Sequence, residues 1–106
     1  MPILAIEHAI SDFDTWSAAF GRLQAARDRA GVRAHRVRRP VDDPNYVLIE
    51  LDFDTLPQAQ RFLGFLESDV WSTPGKSPAL TGTPQTKFLE LTHVYRASRS
   101  GAGQRR

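Results

Sequence analysis

The sequence predicts an α+β sandwich: a four-stranded antiparallel sheet with two helices on one face. Three observations predict it. Apolar spacing passes in order through strand, helix, strand, strand, helix and strand patterns. Two capping signals mark helix starts. A tetrapeptide also repeats at the two strand-to-helix junctions, Asp12-Phe13-Asp14-Thr15 returning forty residues later as Asp52-Phe53-Asp54-Thr55.

Residues 2–10 alternate loosely and are rich in Ile, Leu and Ala, as a largely buried strand requires. Ser11 to Asp14 reads as a capping box: the Ser11 hydroxyl takes an orphan amide and Asp14 reaches back. Phe13, Trp16, Phe20, Leu23 and Ala26 then recur at spacings of three and four, one helical stripe that Gly31 ends. Residues 32–39 form a second strand, polar enough for a sheet edge. Pro40 to Asn45 is turn chemistry.

Tyr46 to Phe53 is the clearest strand, with Val47, Ile49, Leu51 and Phe53 on one side. Thr55 and Gln58 make a second capping box, and Leu56 to Ser68 a second helix. Residues 71–86 hold three prolines and two glycines and read as an irregular, lid-like segment; Lys87 to Tyr95 reads as the last strand. Two βαβ halves with right-handed crossovers place the strands in the order fourth, first, third, second. That is the ferredoxin-like sandwich.

The chain has 106 residues, 41% hydrophobic and 25% charged, which suits one folded domain over residues 1–95. No apolar run approaches the ~18 residues of a membrane span. The absence of cysteine excludes disulfides and thiolate chemistry, and a cytoplasmic protein is expected. Four arginines in residues 96–106 account for the positive net charge, since residues 1–95 carry ten bases and twelve acids. That tail is expected to be disordered. Arg33, Arg36, Arg38 and Arg39 are too small a cluster to imply nucleic acid.

The helices cover one sheet face, assigned to Leu4, Ile6, Ile10, Val47, Ile49, Leu51, Phe53, Leu89 and Leu91. The other face then shows Ile3, Ala5, Glu7, Tyr46, Leu48, Glu50, Phe88, Glu90, Thr92 and Val94. So apolar a surface calls for a cover, and a two-fold homodimer with the sheets face to face supplies one.

The run from His8 to Trp16, then Phe20, then Ala30-Gly31-Val32-Arg33, resembles the opening of many small dimeric α/β-barrel proteins. Asp42-Asp43-Pro44-Asn45 before Val47-Leu48-Ile49-Glu50, and the late Phe88-Leu89-Glu90, are similar to later elements of that group. Its members include antibiotic-biosynthesis-type monooxygenases, cyclases, lactone isomerases and haem-degrading enzymes. The resemblance implies an apolar or aromatic small-molecule ligand. It also implies, for an enzyme, cofactor-independent oxygenation or proton transfer of the cyclase or isomerase kind. The alternative is a non-catalytic metabolite-binding or structural dimerisation module.

Glu7, Glu50 and Glu90 are placed by parity on one face, as an ion-pair network with Arg36 or Arg38, or as proton carriers. His8 near the mouth is either a structural histidine or a pocket base. Trp16 is a core residue or a pocket wall, Trp71 opens the lid-like segment over a flat ligand, and Tyr46 is a third candidate ligand contact. The three histidines lack metal-ligand spacing, and no flavin or nicotinamide fingerprint occurs, so neither metal nor cofactor is expected. The second helix offers no histidine to a haem iron.

Overall fold

The computed structural model describes residues 1–97. The expectation of a disordered tail falls mainly on residues outside these. Strands β1 (Pro2–Ile10), β2 (Ala34–Arg38), β3 (Tyr46–Asp52) and β4 (Leu80–Glu90) alternate with helices α1 (Phe13–Arg22), α2 (Gln24–Ala30) and α3 (Leu56–Phe65), followed by a π-helical turn at Leu66–Val70. The sheet order is β2-β3-β1-β4 and every pairing is antiparallel. This is the α+β, ferredoxin-like arrangement the sequence predicts.

Alternation in β1 does what the pattern asks. Leu4, Ile6, His8 and Ile10 are buried under the helices, and the intervening residues are only partly covered. They face Leu51, Ile49 and Val47 across the β1–β3 ladder. Phe53, Leu4, Leu51 and Val47 are the largest fully buried side chains. Burying each stabilises the fold by roughly 1.5–3 kcal/mol.

Four expectations need correction. The first helix starts one residue later than Ser11 as its cap: Asp12 is the N-cap, accepting from the Thr15 amide at 2.8 Å and the Thr15 hydroxyl at 2.7 Å. These bonds hold the Asp12 carboxyl below its ordinary pKa. The helix also breaks at Leu23 into α1 and α2. The Thr55–Gln58 box, by contrast, makes both of its bonds, and Gly31 ends α2 in the left-handed region at φ 90°.

The third correction concerns the irregular segment, which spans only the turns from Trp71 to Ala79, since Leu80–Thr86 belong to β4. Pairing runs Ile10 to Leu80 and Ala9 to Thr81, then resumes at Glu7 with Gln85. The two extra residues of β4 form a bulge holding Gly82, at φ 72°, and Pro84, which has no amide to offer a ladder.

The fourth is the parity of the last strand. Leu4 lies opposite Phe88, Ile3 opposite Leu89 and Pro2 opposite Glu90. Opposed residues share a face, so Phe88 and Glu90 lie on the helix side and Leu89 on the open side, the reverse of the expectation. Glu90 therefore does not join Glu7 and Glu50. Beyond Glu90 there is no β1 residue left to pair with, and Leu91 to Ala97 run on without regular structure.

Candidate functional site

The sheet presents two surfaces with different chemistry. On the helix side, a cavity of about 60 Å³ opens between β1, β3, α1, α2, the π-helical turn and the segment before β4. A water needs ~10–15 Å³ on this scale, so the space is several waters large. Aromatic rings dominate one wall. Trp16 stacks on Phe20 with centroids 4.9 Å apart, lies 5.8 Å from Phe13 and meets His8 edge-on at 6.5 Å. Trp71 closes another side. It is carried there by the π-helical turn, its amide donating to the Leu66 carbonyl at 2.7 Å.

His8 is 5% exposed and lines this cavity. Its Nδ1 lies 2.9 Å from the Ala9 carbonyl, an acceptor, so the proton sits on Nδ1 and Nε2 is the basic nitrogen. Burial lowers the His8 pKa, only partly countered by the Ala9 bond, so the ring is neutral near pH 7. A neutral imidazole beside an apolar space can accept a proton from a bound molecule.

One residue at the cavity escaped the sequence reading. Arg27 is 3% exposed, with its guanidinium 3.7 Å from the Phe20 ring centre. Nη1 donates to the Phe20 carbonyl at 2.7 Å and Nη2 to Gln24 Oε1 at 3.0 Å. Nε has no partner among the described residues. The signal was present: Trp16, Phe20, Leu23 and Arg27 continue the spacing of four, three and four that defines the apolar stripe.

The open face carries the charged network. Arg36 grips Asp52 through Nη2 at 2.7 Å and Nη1 at 3.2 Å, and Glu50 through Nε at 3.0 Å. These bonds, that to Asp52 first, raise the Arg36 pKa above its ordinary value. Arg38 approaches Glu50 at 3.5 Å. The Tyr46 hydroxyl donates to Glu7 at 2.7 Å, and that bond raises the phenol's pKa. Of the sequence candidates, His8, Trp16 and Trp71 come together at the cavity. Glu7, Glu50 and Tyr46 share the opposite face, and Glu90 lies at the sheet's end beside Phe88 and Leu89. Among the described residues no group of three His, Asp or Glu side chains is placed to hold a metal ion, and no helix is long and apolar enough to cross a membrane.

No family model matches the sequence, and no curated protein matches it. Solved structures do match. SnoaB, a cofactor-independent oxygenase from Streptomyces nogalater, is 17% identical with a TM-score of 0.68, over 88% of this chain and 94% of that one. A protein provisionally described as an antibiotic biosynthesis monooxygenase, from Bordetella bronchiseptica, is 15% identical with a TM-score of 0.68, over 87% and 98%. The monooxygenase of the ActVA-Orf6 gene of Streptomyces coelicolor, solved with the ligand nanaomycin D, is 10% identical with a TM-score of 0.66, over 92% of each chain. The chain has the fold of the antibiotic-biosynthesis-monooxygenase-like proteins. At these identities the likeness speaks for the fold, and activity is a separate matter.

Proposed function

We propose that the chain binds a flat, apolar or aromatic small molecule in the cavity between sheet and helices and acts on it as a cofactor-independent monooxygenase. The observation that carries this reading is a neutral, buried His8 at an aromatic-lined cavity. Similarity in fold to a cofactor-independent oxygenase supports it. Without a cofactor, the substrate itself must reduce dioxygen, which requires an electron-rich ring and an acidic C–H or O–H. His8 Nε2 takes that proton. The resulting anion passes electrons to dioxygen; one oxygen atom turns an activated CH₂ into a carbonyl, and the other leaves as water with the two hydrogens.

An oxygen electrode tests this with an enolisable polycyclic ketone such as anthrone. One dioxygen consumed per quinone formed is expected, with His8→Gln lowering kcat by roughly 10²-fold or more, the usual contribution of a general base. Saturable binding with no oxygen uptake above the uncatalysed rate would leave the non-catalytic, metabolite-binding alternative.

We also propose that two chains pair through the open sheet face. Support comes from the half-covered Ile3, Ala5 and Leu48 there and from the run past β4, where Leu91 is 56%, Val94 65% and Tyr95 80% exposed. A second copy would hide this apolar surface.

A further inference from the structure

We propose that the ligand of this cavity is a flat aromatic bearing one anionic oxygen group, a carboxylate or an ionised phenol, with Arg27 as its charge partner. The proposal rests on the cavity being the binding site and adds the chemistry of what enters it. Arg27 is almost wholly buried, yet no carboxylate among the described residues hydrogen-bonds to it, and Asp28, its neighbour in the chain, acts on it only through space. Its two hydrogen bonds go to neutral acceptors, the Phe20 carbonyl and the Gln24 amide, and Nε keeps an unused donor. A buried cation is ordinarily matched by an anion, because water no longer solvates it.

The lining agrees. Among the described residues it contains Arg27 and Lys76 and no acidic side chain. Lys76 already has a partner, Asp69, at 3.0 Å, and both members of that pair are about half exposed, so its charge is largely spoken for. His8, the remaining titratable group of the lining, is neutral. His35, edge-on to Phe20 at 5.2 Å, is lowered in pKa by burial and further by Arg27 and Arg36. Arg27 is thus the positive group at this end of the cavity, and Trp16 and Trp71 line its aromatic walls. An anionic oxygen beside Arg27 would fill the empty donor and keep the ring against those walls.

The matched pair para-fluorobenzoate and para-fluorobenzamide, alike in shape and different in charge, separates the possibilities by fluorine NMR titration. The expected result is at least tenfold tighter binding of the benzoate to the native protein. Arg27→Gln should bring the two ligands level, Arg27→Lys should restore part of the preference, and Lys76→Gln should leave most of it. Equal binding of both ligands to the native protein, or a preference that survives Arg27→Gln in a folded variant, overturns the anion proposal and leaves the cavity reading standing. Failure of both ligands to bind removes both.

Discussion

Gly31 backs directly onto Gln58: a Cβ built on the glycine would stand 2.8 Å from Gln58 Nε2. The residue that ends α2 in the left-handed region is thus pressed against the residue that closes the capping box of α3, whose Oε1 takes the Thr55 amide at 3.1 Å. Two helix ends depend on one missing methyl group. Gly31→Ala should cost about 1–2 kcal/mol from the left-handed backbone alone, and more if Gln58 is driven off Thr55. Urea unfolding measures it; a midpoint equal to the native one would show that α2 can end another way.

Arg36 holds Asp52 and Glu50 in a fork that a lysine cannot copy. The side chain is 37% exposed, so the effect is modest. Arg36→Lys should cost about 0.5–1 kcal/mol, shrinking as salt is raised. Denaturation at low and high ionic strength checks both the size and the trend.

Leu48 sits between Glu7 on β1 and Arg38 on β2, in the middle of the open face. The native chain should sediment as a dimer, and Leu48→Asp should yield monomers or insoluble protein. Sedimentation velocity on both proteins decides, and a stable dimer of the variant would place the interface elsewhere.

Burial lowers the pKa of His8 and, with help from Arg27 and Arg36, that of His35. The unfolded chain then binds more protons than the folded one from about pH 6.5 downward, so stability rises with pH. The contribution is complete above the unfolded value and is lost as pH falls through the lowered folded values. Urea midpoints from about pH 5 to about pH 7.5 should climb, and less steeply in His8→Gln. A slope unchanged by that substitution would mean His8 takes no part.

Much of this architecture can be read from residues alone. Leu4, Ile6 and Ile10 alternate with partly covered neighbours, and Val47, Ile49 and Leu51 do the same, so β1 and β3 are legible from a period of two. The last strand is not. Pro84 and Gly82 argue against a strand in local terms, and only pairing with Ala9 and Ile10 makes one there. Leu89 to Tyr95 look more strand-like, yet β1 supplies no partner past Pro2. The face of this strand is misread because Leu89 and Leu91 are more apolar than Glu90, whereas register decides the face and Leu4 pairs with Phe88. At the site, Trp16, His8 and Trp71 were visible by type and position. Arg27 was hidden because a charge within a helix reads as solvent-facing, even on an apolar stripe.

The π-helical turn at Leu66–Val70 has a consequence for how this chain can change. Widening the coil there shifts all that follows around the axis, and Trp71 is the first residue to feel it. Removing one residue from the turn would leave Trp71 four places after Leu66, able to take the same carbonyl in an ordinary helix, so the indole's direction would be kept. The extra residue is thus absorbed within one coil, and the indole holds a place over Leu66 that ordinary winding would have given to Val70.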